Sequence, residues 1–151
     1  LKSFREELKD LNDSYKANQV AIQIETIEAW VEFKNGDVKR ALSLMRNAAE
    51  MESMTSKHPV TPGEILPADE LLADMLLKAN KPIEALDAYE LNLKRRPNRF
   101  NGIYGAALAA KESSNNEKAI FYFESLLDLT KDSNGDRPEI REAKEFLQPN
   151  S

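Results

Sequence analysis

Apolar residues recur along this chain at helical spacing, and polar turns punctuate them. Phe4, Leu8, Leu11 and Tyr15 stand four, three and four residues apart, which predicts one amphipathic helix over 1–17. Ile24, Ile27, Trp30 and Val31 predict a second, from Val20 to Lys34. Asn35-Gly36-Asp37 should end it, because Gly36 can turn left-handed at little cost and Asp37 can cap the helix that follows. That helix runs to about Ser53, with Ala41, Leu42, Met45, Ala48 and Ala49 facing inward.

The stretch 54–66 breaks the pattern. His58-Pro59-Val-Thr-Pro62-Gly63-Glu-Ile-Leu-Pro67 holds three of the seven prolines and predicts loop or short turns, with a capping box in Thr61-Pro62-Gly63-Glu64. From Ala68 the helical period returns through Leu71, Leu72, Met75 and Leu76, and Asn80-Lys81-Pro82 makes a turn. Ile83, Leu86, Tyr89, Leu91 and Leu93 mark the next helix, which Pro97 closes. Phe100 to Lys111 form another, dense in Gly102, Gly105, Ala106, Ala107, Ala109 and Ala110, residues small enough to let helices approach closely. Ser113 to Asn116 turn the chain into a helix carrying Ala119, Ile120, Phe123, Leu126 and Leu127. Asp136-Arg137-Pro138-Glu139 opens a last helix, 136–147, whose polar ends suit a terminal cap.

The turns and helices repeat. The residues around Ala85 match those around Ala119, 34 positions later, and a third copy surrounds Ala41, 44 positions before Ala85. The insertion at 54–66 accounts for the longer interval. Each unit has a small residue late in its first helix (Ala29, Ala73, Ala107), an alanine early in its second (Ala41, Ala85, Ala119) and a larger apolar residue one turn on (Met45, Tyr89, Phe123). Small residues fit where paired helices cross, and large ones fill the gap to the next pair. This pattern resembles the tetratricopeptide repeat (TPR) over residues 20–131, with Glu28 and Glu32 departing from it in the first unit. The resemblance implies an all-α superhelix of about three helix pairs in one domain. Its repeats would be 20–53, 67–97 and 98–131, flanked by the N-terminal helix 1–17 and the capping helix 136–147. The segments from His58 to Leu72 and from Pro97 to Gly102 are also similar to stretches in large bacterial repeat proteins.

In proteins of this kind the first helix of each pair lines a concave groove that holds a peptide or a partner helix. Carried over by position, the groove residues would be Gln23, Thr26, Trp30 and Phe33 from the first unit, and Glu70 and Asp74, with Leu77 beside them, from the second. The third would add Asn101, Tyr104, Leu108 and Lys111. Glu70 and Asp74 stand where some members hold a peptide's terminal carboxylate with basic and amide side chains, so they would repel that ligand. A partner with an apolar anchor and a basic or amide-rich segment fits better. The two acids can equally be a solvated face, and Trp30 and Tyr104 can be packing residues.

Composition narrows the alternatives. A net charge of −5 argues against a general nucleic-acid partner, and Lys94-Arg95-Arg96, the one basic cluster, suits a helix C-terminus. The chain has no cysteine, one histidine and no phosphate-binding glycine loop. No cofactor, metal site or catalytic nucleophile is expected, and no segment is apolar enough for membrane insertion. The competing reading is an enzyme domain, or an accessory to one, using His58 and the acids of the 54–74 region as a weak metal or ligand site. Asn98 is expected to cap the helix at Phe100, with Arg99 paired to a nearby acid. The chain begins at Leu1, which fits a part of a longer chain or assembly, in the cytoplasm or the periplasm.

Overall fold

The computed structural model describes residues 1–11, 13–55, 65–133 and 135–148. Among them lie eight α-helices and no strand: α1 (Lys2–Asp10), α2 (Ser14–Lys34), α3 (Val38–Met54), α4 (Ala68–Lys78), α5 (Pro82–Arg95), α6 (Phe100–Glu112), α7 (Asn116–Leu129) and α8 (Pro138–Leu147). The expectation of an all-α chain holds. His58 and the capping box at Thr61–Glu64 lie outside the described residues.

One backbone closure recurs four times. The N–H groups of Asp13, Asp37, Lys81 and Asn115 donate to the carbonyls five residues back, at 2.9, 3.0, 3.0 and 2.8 Å. The carbonyls of the same four residues accept from Ala17, Ala41, Ala85 and Ala119 in the helix that follows. These bonds satisfy carbonyls that a helix C-terminus leaves open and start the next helix within a few residues. The preceding position is left-handed at Gly36 (φ 91°), Asn80 (φ 57°) and Ser114 (φ 60°). Asp13, Asp37 and Asn115 cap through their side chains, whereas Lys81 has no side-chain cap and is followed by Pro82 in the first turn.

The closure at Asp13 corrects the helix expected over 1–17. Leu11 continues the apolar stripe but is 70% exposed, and Phe4 is 49% exposed; of the stripe, only Leu8 is buried. Aspartate caps break a helix whenever their side chain can take an N–H in the next turn, as Asp13 does from Lys16 at 3.0 Å. Tyr15 therefore belongs to α2.

The chain forms two compact units, Leu1–Leu72 and Ala73–Ser151. In the first, Leu8 packs with Ala17, Val20 and Ile24, joining α1 to α2. Ile22, Ala48 and Ala68 form a second cluster, flanked by Ala49 and Met51. The carboxylate of buried Glu52, on α3, accepts the N–H of Ala68 at 2.9 Å, so a side chain sixteen residues away caps the start of α4. In the second unit, Ile103, Ala107, Phe123, Leu126 and Ala143 form the core shared by α6, α7 and α8. All the small residues of α6 are buried, as their spacing predicted. Gly105 faces Tyr89 of α5, and a methyl group built there would lie 2.3 Å from the ring.

Asn98 does not cap α6. It takes a left-handed conformation (φ 63°), and the cap position falls to Arg99, which offers no side-chain acceptor. Asparagine tolerates the left-handed conformation better than most residues, which suits this position between α5 and α6.

Candidate functional site

Candidate binding face

In the first unit the outer face of α2 carries the expected residues in order. Gln23 is exposed, while Thr26, Trp30 and Phe33 are half-buried. The Thr26 hydroxyl donates to the Ile22 carbonyl at 2.9 Å. Trp30 and Phe33 meet edge to face, 5.7 Å apart at 72°. The aromatic pair holds itself in place, an arrangement that stabilises such rings beyond the area they bury.

Two of the larger apolar residues that mark this helix are open to solvent. Ile27 is 50% exposed and Val31 52%. Along the same helix a cleft of about 490 Å³ opens, lined by Gln19, Gln23, Thr26 and Ile27 on one side and by Ile65, Leu66 and Leu71 on the other. Its lining is mainly aliphatic. Gln19 reaches it too, and its Nε2 is buried without a hydrogen-bond partner.

Glu70, expected on the open face, is only 2% exposed. It sits in the first turn of α4 beside buried Asp69, whose carboxylate accepts the Glu70 N–H at 3.0 Å. The free N–H groups and the positive end of the helix favour acids at this position, so burial there is tolerated. Glu70 therefore leaves the set of groove residues.

In the second unit Asp74, Asn101, Tyr104 and Leu108 do come together. They line a pocket of about 270 Å³ with Leu77, Lys78, Tyr89 and Gly105. Asp74 accepts a hydrogen bond from the Tyr89 hydroxyl at 2.5 Å. Lys111 lies outside that pocket and is drawn elsewhere. Glu142, on α8, accepts from the Tyr104 hydroxyl at 2.6 Å and from Lys111 Nζ at 2.8 Å. Burial and the neighbouring Glu142 carboxylate push the Tyr104 hydroxyl pKa well up. Burial raises the Glu142 carboxyl, but the Lys111 and Tyr104 hydrogen bonds outweigh it and hold its pKa below the ordinary carboxylate value. A similar contact joins α7 to α5: Tyr122 donates to Glu90 at 3.1 Å, and burial with that carboxylate pushes its hydroxyl up to about 12.

Glu142 was not legible from sequence, since 38 residues separate it from Tyr104. Gln19 carried a weak signal: it lies one helical turn before Gln23, on the same face. Among the described residues, no group of three or more histidines, cysteines or acids is placed to hold a metal ion, and no helix is long and apolar enough to cross a membrane.

No family model matches this sequence, and no curated protein does. Solved structures do resemble it. A TPR-like protein from Chlorobium tepidum shares 18% identity over 88% of this chain and 94% of its own, with a TM-score of 0.55. MamA from Desulfovibrio magneticus, from residue 41 to its end, shares 14% identity over 97% of this chain and 88% of its own, with a TM-score of 0.60. At these identities the likeness is one of fold, and the fold is TPR-like.

Proposed function

We propose that the chain is a non-catalytic protein–protein interaction module that holds a peptide or partner helix on the exposed faces of its repeat helices. The reading keeps 20–53, 67–97 and 98–131 as its repeats. The observation that carries it is the α2 face of the first unit. Ile27 is half exposed in the lining of an open aliphatic cleft, and Val31, one turn further along the helix, is half exposed too. Exposed apolar surface of this kind is unfavourable unless something covers it, and it marks interaction sites on soluble proteins. Gln23, Thr26, Trp30 and Phe33 would contact the partner there, and Asp74, Asn101, Tyr104, Leu108 and Lys111 are the proposed contacts of the second unit.

The test is affinity capture with immobilised wild-type protein and with two variants, Ile27→Asp on the first unit and Asn101→Ala combined with Leu108→Ala on the second. Circular dichroism would first establish that helix content is unchanged. Proteins retained by the wild type and lost by either variant are the expected result. Retention that is identical across all three would exclude both faces.

A further inference from the structure

We infer that the outer faces of α5 and α7 form a second docking surface, and that its partner is a basic amphipathic helix. Binding there does not require the groove proposed above. Both helices belong to one compact unit, and side chains tie them together. Glu90 on α5 accepts from the Tyr122 hydroxyl at 3.1 Å and lies 2.6 Å from Lys118 Nζ. Each helix buries one side, through Ala85 and Tyr89 on α5 and through Ala119 and Phe123 on α7.

The opposite sides are not the purely polar surfaces that solvated helix faces usually show. On α5, Ile83, Asp87 and Leu91 follow one another at intervals of four, and all three are exposed. On α7, Glu117, Phe121 and Glu124 do the same at intervals of four and three, with exposed Ile120 beside them. Asp87 and Phe121 stand 34 residues apart, at the same position of successive repeats. Phe121 is 60% exposed, yet its ring is held. It meets Tyr122 edge to face, 5.0 Å apart at 73°, and Tyr122 is anchored on Glu90. An exposed ring fixed in advance at the junction of α5 and α7 loses little freedom when a partner covers it.

Charge selects that partner. α5 carries three acids and two basic residues, α7 three acids and one. Lys118 is taken by Glu90, Glu84 pairs with Lys81, and Asp128 lies 3.0 Å from Lys131 Nζ. Among the described residues no ion pair or hydrogen bond engages the carboxylates of Asp87, Glu117 or Glu124. Lys94, near the C-terminal end of α5, is the one exposed cation on these two helices with no such engagement. Lysines or arginines flanking an apolar stripe would meet the three carboxylates, whereas an acidic segment, a nucleic acid or an anionic lipid surface would be repelled. A second copy would set acids against acids. Helix faces also offer no open backbone groups, so an extended strand laid on them would lose water from its N–H and C=O groups without replacement. A helix satisfies its own backbone.

The probe is a peptide of about eighteen residues with blocked ends, leucines at helical spacing and lysines elsewhere, roughly 27 Å long as a helix. It is titrated against the full chain by fluorescence polarisation, with circular dichroism reporting its helicity and the folding of each variant. Binding should raise the peptide's helicity, and raising KCl from about 50 to about 300 mM should weaken it about threefold or more. Affinity should fall about tenfold in Asp87→Lys combined with Glu124→Lys, and about fivefold in Phe121→Ser. Glu7→Lys combined with Glu145→Lys changes the net charge equally but lies off these faces, and should cost about twofold at most. Ile27→Asp, and Asn101→Ala combined with Leu108→Ala, should bind the peptide as the wild type does. An equal loss in the Glu7 and Glu145 pair would mean attraction to the acidic chain as a whole and would overturn the inference. So would equal binding of a peptide with the same residues in scattered order, equal binding of its glutamate counterpart, unchanged affinity in Phe121→Ser, or no binding at all. A loss confined to Ile27→Asp or to the Asn101 and Leu108 variant would assign the peptide to the other faces and refute this one. Self-association of the chain that Phe121→Ser abolishes would name a second copy as the occupant and refute it too.

Discussion

Replacing Gly105 by alanine sets two known effects against each other. In an exposed helix the change stabilises by about 1 kcal/mol, because alanine is the better helix former. At this position the new methyl carbon would lie 2.3 Å from Tyr89 Cζ, 2.4 Å from Cε1 and 2.6 Å from the hydroxyl oxygen. The ring has little room to retreat, since Tyr89 is 1% exposed and its hydroxyl is held by Asp74. Relief then requires α5 and α6 to separate or the hydroxyl to give up its partner. Overpacking of this kind costs about 1–3 kcal/mol, and loss of a hydrogen bond to a charged group about 1.5–3 kcal/mol. The balance is a net destabilisation of about 1 kcal/mol, or roughly 2–4 °C in Tm for a chain of this size. Urea unfolding of the wild type, Gly105→Ala, Tyr89→Leu and the double variant forms a cycle that isolates the contact. In the Tyr89→Leu background the clash is gone, and Gly105→Ala should become neutral or stabilising. A stabilising Gly105→Ala in the wild-type background would refute the packing described for α5 and α6.

The left-handed turn positions give a paired prediction. Gly36→Ala meets nothing within 4 Å, yet should cost about 1 kcal/mol through backbone conformation alone, whereas Ser114→Gly should stabilise by about 0.5 kcal/mol in the same denaturation assay. Asp37→Ala and Asn115→Ala each remove a side-chain cap and should lower stability by about 1 kcal/mol, measured by thermal melting. The Glu142 carboxyl is depressed in the folded state, so its stabilising effect is full above the ordinary value of 4.5 and is lost as pH falls through the folded pKa. The melting deficit of Glu142→Gln should therefore be present at pH 7 and shrink in acid; a deficit that stays constant down to pH 3 would refute the linkage.

What the sequence made legible was local. The alanines at 41, 85 and 119, the turn at Gly36-Asp37 and the proline opening α5 follow from rules that act within a few residues, and the structure places each as expected. The misses have the same origin. Leu11 extends an apolar stripe, and periodicity alone continues a helix through it; only the Asp13 cap stops that helix, and it makes Ala17 a fourth member of the alanine series. Glu70 reads as a surface acid until α4 is seen to begin just before it, where the helix end makes burial of a carboxylate affordable. Ile27 and Val31 sit at core spacing on α2, but a single helix cannot bury two opposite stripes without neighbours on both sides.

The candidate site shows a further limit of position-by-position reading. Alignment treats each face residue as available to a partner, but availability depends on what the fold has already satisfied. In the second unit, Tyr104 and Lys111 both spend their donors on Glu142, and Asp74 takes the Tyr89 hydroxyl. A ligand approaching these groups has to compete with an internal partner of the right charge, so its net gain is a difference between two similar contacts. In the first unit the cleft along α2 is lined mainly by aliphatic side chains. An apolar side chain placed there would leave water without breaking a hydrogen bond in the protein. On the function proposed above, the two faces would therefore differ in what binding can return even where their residue types look alike, and the α2 face is the one on which a modest contact would yield the larger net affinity.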